Sequence, residues 1–156
     1  MELYAILEEL GIVYDEIEHP PVFTVEEAQS LKERIDGVGC KNLLLTDNRR
    51  EKFFLVVLED RKKADLKEIA HLCGTSRLTF ANAAELNELL HLYPGGVSPL
   101  GIIYDRNCLV TLVLDNDLIG KHLLFHPNTN TKTISISYDD FIKFAESQGH
   151  SYMYLK

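Results

Sequence analysis

The chain has 156 residues, 46% of them hydrophobic and 26% charged. That balance suits a soluble globular fold able to bury roughly two thirds of its unfolded surface, and it excludes a disordered chain. Cys40, Cys73 and Cys108 are odd in number and lack C-x-x-C spacing, which excludes a disulfide framework or a zinc knuckle. The N-terminus Met1-Glu2-Leu3-Tyr4-Ala5-Ile6-Leu7-Glu8-Glu9-Leu10 carries acids where a signal peptide needs bases, and no apolar run reaches membrane length. A cytoplasmic protein with no membrane partner is expected. The net charge of −8 is unevenly spread, because residues 31–77 hold 11 of the 16 Lys and Arg against 8 of the 24 acids. Such a local basic segment can hold the end of a polyanion, and it reads equally as two solvated turns.

Leu3, Ile6, Leu7 and Leu10 recur at helical spacing and Gly11 follows as a stop, so the chain opens with an amphipathic helix. Residues 12–18 alternate as a strand. His19-Pro20-Pro21 breaks the pattern, and Thr24-Val25-Glu26-Glu27 supplies a capping box for a helix ending before Gly37. Lys41–Thr46 and Phe53–Leu58 are apolar runs joined by a polar turn, which predicts a central hairpin. Leu66, Ile69, Ala70 and Cys73 form a helical face closed by Gly74, and residues 83–92 give another helix; both are expected to cover the sheet. Ile102–Tyr104, Cys108–Leu114, Leu123–Phe125 and Thr133–Ser137 read as strands, and Tyr138–Gln148 as a helix stopped by Gly149. Closely spaced short strands favour antiparallel pairing. The expected class is α+β, with a mixed, mainly antiparallel sheet covered by helices, and no linker divides residues 1–156, which read as a single domain.

Three segments invite chemistry. Lys41 stands at the mouth of an apolar strand, where a cation needs an anion or a carbonyl. Cys40 beside it would be a nucleophile only if its thiolate were stabilised, and strand alternation sends Cys40 and Lys41 to opposite faces, so a buried structural cysteine is expected. Pro94-Gly95-Gly96-Val97-Ser98-Pro99 lets the backbone approach a ligand closely and offers N–H groups to an oxyanion, although such a loop is also an ordinary turn. It lacks the G-K-[ST] ending of a nucleotide-triphosphate loop. His126 lies where an apolar strand gives way to Pro127-Asn128-Thr129, open to a ligand or bonded to nearby backbone. The other histidines show no metal-ligand spacing, and no Ser-His-Asp set or G-x-S-x-G elbow is present.

Five separated stretches, His19–Ala28, Lys41–Leu45, Leu78–Ala81, Gly95–Gly101 and Phe125–Thr131, together resemble the YbaK/ProX aminoacyl-tRNA editing superfamily. The likeness runs from about residue 13 to 150 and is closest to the free-standing prolyl-tRNA editing proteins of the alanyl type. What the resemblance implies is a deacylase that hydrolyses alanine mischarged onto the transfer RNA for proline, acting in trans because the chain has no room for a synthetase core. Prolyl-tRNA synthetase is a possible partner; no metal or cofactor is implied. Alternatives are an editor of cysteinyl or seryl errors, or a non-catalytic module that binds aminoacyl-tRNA or a synthetase.

By the same resemblance Lys41 matches the family's essential lysine, Asn42 its neighbouring asparagine, the stretch from Gly95 to Pro99 its G-x-x-x-P element, and His126 the histidine lining the amino-acid pocket. Lys41 is expected to anchor the terminal phosphate or the ester carbonyl, and the N–H groups of Gly96, Val97 and Ser98 to hold the carbonyl oxygen. Water would attack with help from a ribose hydroxyl. His126 and Val22 are expected to limit pocket size, and Phe23, Pro127 and Asn128 to complete the substrate-binding surface. An aminoacyl ester is already activated, so orientation and oxyanion stabilisation supply much of the rate without a side-chain nucleophile. A proline-activating site gains only about 1–3 kcal/mol of discrimination per missing methylene of alanine, which makes a second sieve necessary.

Overall fold

A computed structural model describes residues 2–21 and 25–156. Helix α1, Glu2–Glu9, buries Leu3 and Leu7. It ends where Gly11 takes a positive φ of 69°. Strand β1 is Asp15–Glu18 and helix α2 is Val25–Lys32. Thr24, the expected cap of α2, lies outside the described residues, as do Val22 and Phe23.

Strands β2, Val38–Thr46, and β3, Phe53–Glu59, form the expected hairpin, paired from Cys40↔Glu59 to Thr46↔Phe53. β3 is buried along almost its whole length because it is central and covered on both faces. Helix α3, Leu66–Cys73, starts on Asp65, whose carboxylate accepts from the N–H groups of Lys67 and Glu68, and ends on left-handed Gly74. After the two-residue strand β4, Thr79–Phe80, helix α4, Ala83–Leu90, opens with a full capping box between Asn82 and Glu85.

Ile102–Tyr104 is not the expected strand. Pro99–Tyr104 winds into a 3-10 helix, started by Pro99 and capped by Ser98, whose Oγ accepts from the Leu100 N–H. A short apolar run buried on all sides has no periodicity to separate the two outcomes. β5, Val110–Asp115, β6, His122–Phe125, and β7, Lys132–Ser137, follow as expected, then helix α5, Tyr138–Ser147. A final strand, β8, Tyr152–Leu155, was not anticipated.

The strands order as β1-β7-β6-β2-β3-β5-β8, with β4 on β2. Antiparallel pairs are β1–β7, β6–β7, β2–β3 and β2–β4, while β2–β6, β3–β5 and β5–β8 are parallel. The sheet is therefore mixed and mainly antiparallel. Helices α1, α4 and α5 and the 3-10 helix cover one face, burying Leu7, Leu90, Leu100, Phe141 and Phe144 against Leu44, Leu55, Val57 and Leu112. Helix α3 covers the other, burying Ile69 and Ala70 against Leu45, Phe54, Val56 and Leu58. No helix among the described residues is long and apolar enough to cross a membrane.

Candidate active site

β2 is the strand on which the site is built. On one side it pairs with β6 only at Val38 and Gly39, and with β4 only at Leu45 and Thr46. Between those two pairings the edge of β2 has no strand beside it among the described residues. The Asp60 N–H donates to the Gly39 carbonyl, which fixes the alternation: Lys41 and Leu43 exchange backbone bonds with β3. Cys40, Asn42 and Leu44 then turn their N–H and C=O groups to this edge, where pairing with β6 uses the Cys40 N–H and the Ala81 N–H already donates to the Leu44 carbonyl.

A cleft of about 490 Å3 opens at this edge, with Asn42, Leu44, Phe80, Gly95, Val97 and His126 in its wall. A smaller compartment of about 130 Å3 adjoins it, sharing Cys40, Asn42 and His126 and adding Leu31 and Lys32 from α2, Asp60, Phe125 and Thr133. Asn42 Nδ2 donates to the Val97 carbonyl at 3.3 Å, tying the glycine loop to β2. Its Oδ1 is buried without a hydrogen-bond partner, an unusual state for a buried acceptor.

His126 is held by Lys132, whose carbonyl lies 2.9 Å from Nδ1. A carbonyl only accepts, so Nδ1 carries the proton and Nε2 keeps its lone pair. Burial lowers the imidazole's pKa, with nearby His19 adding to the shift and the bond to Lys132 opposing it. The same logic orients His19, whose Nδ1 donates to the Pro20 carbonyl and whose Nε2 accepts from Thr133 Oγ1, both at 2.8 Å. His19 thereby fixes the hydroxyl of Thr133 in the wall of the small compartment. The motif stretch contained His19, but nothing in its spacing linked it to Thr133, 114 residues away.

The glycine loop divides its groups between scaffold and ligand. Gly95 takes φ 87°, a value that favours glycine, and a Cβ on Gly96 would come within 3.0 Å of the Tyr93 ring. The Gly96 N–H, expected to face an oxyanion, instead closes the turn on the Tyr93 carbonyl at 2.9 Å. Ser98 is fully buried and donates through Oγ to the His126 carbonyl at 2.7 Å, so it braces the loop rather than lining the cleft. Pro99 is buried at the start of the 3-10 helix. Pro127 is buried as well, and Asn128, at φ 61°, donates through Nδ2 to the Leu100 carbonyl. Pro127 and Asn128 shape the turn beside His126 and line neither cavity. The N–H groups of Gly95, Val97 and Ser98 have no partner among the described residues, and of these three residues Gly95 and Val97 line the cleft.

Lys41 lies apart from these groups. Alternation along β2 places it with Leu43 and Leu45 on the α3 face, whereas Asn42 and Leu44 face the other way. Its Nζ donates to the Lys62 carbonyl at 2.6 Å, and it lines neither cavity. Cys40, set aside on sequence grounds, does line both, but burial and nearby Asp60 push its thiol up to about 12. That suits a wall residue and not a thiolate nucleophile. Much of the basic segment is already neutralised, since Lys32 pairs with Asp60, Arg50 with Glu85, Arg61 with Glu59, and Lys62 with Asp115 and Asp117. Among the described residues no group of three or more His, Cys, Asp or Glu is gathered as a metal site.

The aminoacyl-tRNA editing domain model matches residues 19–144, which include both cavities. The chain belongs to the aminoacyl-tRNA editing domain family. Editing of an aminoacyl-tRNA is hydrolysis of its ester, so this editing domain is a deacylase. The prolyl-tRNA editing protein ProX of Acetoanaerobium sticklandii is 37% identical over 150 residues, covering 95% of this chain and 91% of the relative. A Danio rerio relative, prolyl-tRNA synthetase associated domain-containing protein 1, is 38% identical over 153 residues, covering 96% and 83%. A solved structure described as a candidate trans-editing enzyme for prolyl tRNA synthetase superposes with TM-score 0.73 at 23% identity, covering 99% of this chain and 94% of that one. At that identity the superposition shows the shared fold.

Proposed function

We propose that this editing domain acts in trans on the acceptor end of the transfer RNA for proline and hydrolyses mischarged alanine from it. The observation that carries the reading is the two-compartment site at the open edge of β2. The compartment of about 130 Å3 is on the scale of a small side chain, while the outer cleft of about 490 Å3 falls in the range of sites that hold larger ligands. The name of the A. sticklandii relative, at 37% identity, supports proline's transfer RNA as the carrier. The synthetase association in the name of the D. rerio relative supports prolyl-tRNA synthetase as a partner.

In this mechanism the aminoacyl group enters the small compartment. The unpartnered Asn42 Oδ1 accepts from its α-ammonium, and the ester crosses the open edge with its carbonyl oxygen towards the N–H groups of Asn42 and Val97. These donors are fixed before reaction, so they stabilise the oxyanion without reorganisation. His126 Nε2, an acceptor in the neutral tautomer, orients the attacking water, and a ribose hydroxyl assists proton transfer. Thr133, Cys40 and Asp60 set the depth available to the side chain. Lys41 is on the Leu43 side of the strand, so its ammonium serves the phosphate and not the ester carbonyl, exchanging the Lys62 carbonyl for a phosphate oxygen when RNA binds.

The test is single-turnover deacylation of proline's transfer RNA charged with alanine, cysteine, serine or proline. Alanine is released fastest and proline is spared. Release of proline without alanine would overturn the assignment, preferential release of cysteine or serine would reassign the editor, and binding without any release would make the chain a non-catalytic module. In the same assay Lys41→Ala lowers kcat/KM roughly ten- to hundredfold, the value of a charged hydrogen bond of about 1.5–3 kcal/mol.

A further inference from the structure

The outer cleft has an aromatic wall for which the hydrolytic chemistry has no use. Phe80 is 56% exposed although it sits in a strand paired to the centre of the sheet. Its backbone is pinned by pairing with Leu45, by the neighbouring Ala81 N–H on the Leu44 carbonyl, and by Arg50, which donates to the Phe80 carbonyl while paired with Glu85. A large apolar ring is thus held rigidly in water at the mouth of a cleft. Antiparallel partners share a face, so Phe80 stands with Leu45 and Leu43, across the open edge from Asn42. A ligand that lies over the edge meets polar groups on the Asn42 side and an apolar, aromatic surface on the Phe80 side.

We propose that Phe80 is the stacking platform for the 3′-terminal base of the aminoacyl-tRNA. This rests on the proposed function and adds the subsite that holds the nucleoside. Single-stranded nucleic acid is commonly gripped through base–aromatic stacking combined with cationic contacts to the backbone. Here the aminoacyl ester lies between the two halves of the site: the amino acid goes to the small compartment, the base to Phe80, and the phosphate to Lys41 on that same face of β2. Stacking uses the π face of the base and not its edge, so it grips the common end of a transfer RNA without reading its sequence.

The experiment compares kcat/KM on an alanyl-minihelix with kcat/KM on alanine ethyl ester, which has no base, for the wild type, Phe80→Leu and Phe80→Trp. Leucine keeps apolar bulk at the exposed position but lacks the ring. The ratio of the two constants falls about 5- to 150-fold in Phe80→Leu, the loss of one stacked base, and is retained in Phe80→Trp. In Phe80→Trp the indole fluorescence is quenched on titration with adenosine 5′-monophosphate. An unchanged ratio in Phe80→Leu, or a tryptophan whose emission ignores the nucleotide, would overturn the assignment. A wild type that releases no amino acid from any charged RNA would overturn the proposed function instead, and the fluorescence titration distinguishes that failure from this one.

Discussion

His126 donates Nδ1–H to the Lys132 carbonyl, and that bond leaves Nε2 as an acceptor only while the ring is neutral. Burial favours the neutral form by lowering the pKa, and His19 close by acts in the same direction. Protonation would turn Nε2 into a donor and remove the acceptor proposed to orient water. The expected kcat/KM profile is therefore flat through neutral pH and falls only below the ordinary histidine value of about 6.5. The linked stability term has the same sign: it is complete above that ordinary value and is lost as pH falls through the lowered one. A pH–rate profile of alanyl-tRNA deacylation checks this, and a decline beginning above pH 7 would contradict it. His126 was visible in the sequence as a polar residue at the end of an apolar strand. Its protonation state was not, because that depends on Lys132 across the turn and on His19, which reaches it only through the sheet.

At the scale of elements, the glycine loop works because other segments hold it. Ser98 Oγ donates to the His126 carbonyl and accepts from the Leu100 N–H, so one buried hydroxyl links the loop, the 3-10 helix and the strand end that carries His126. Ser98→Ala leaves the His126 carbonyl without this donor. It is expected to cost about 1–3 kcal/mol of stability in urea denaturation. It should also lower kcat more than it raises KM, since the loop it releases carries a donor proposed to act on the developing oxyanion. Equal stability of the variant and wild type would show that the bond is dispensable. The G-x-x-x-P pattern announced a loop fit for ligand approach. It did not show that the Gly96 N–H is spent on Tyr93 or that Ser98 faces inward, since both follow from where the 3-10 helix packs. The same packing overrode the expected strand at Ile102–Tyr104, whose apolar residues are buried equally well in either form.

For the molecule as a whole, a buried hydrogen bond between a carboxylate and an imidazole closes the region furthest along the chain. Asp105 and His150, 3% and 4% exposed, meet at 2.9 Å and join the start of β5 to the segment leading into β8. Burial alone would raise the Asp105 pKa, but the His150 bond and the N–H groups of Val110 and Leu109 together outweigh it and hold the carboxyl below its usual range. Its stabilising contribution is complete above the ordinary carboxylate value and disappears as pH falls through the lowered one. Asp105→Ala leaves the buried His150 Nε2 and the N–H groups of Leu109 and Val110 without their acceptor and is expected to cost about 1–3 kcal/mol. The loss is read as a drop in urea midpoint at pH 7 that shrinks towards acid, and a deficit that stayed constant with pH would argue against the ionised Asp105 carboxylate.

Local pattern was enough for much of this protein. Helical and alternating periodicities located α1, α3, α4, α5 and the β2–β3 hairpin, because each of these must hide one apolar face and the spacing records which one. The motif residues likewise marked β2, the glycine loop and the turn after β6 as the parts that assemble a site. Tertiary structure decided how those parts meet. The short pairings of β6 and β4 leave the middle of β2 with an open edge, and pairing between strands distant in sequence leaves no local trace. The two-residue period then sends Asn42 and Lys41 to opposite sides of that edge. Neighbours in the sequence are therefore proposed to serve different parts of one ligand, Asn42 the aminoacyl group and Lys41 the phosphate.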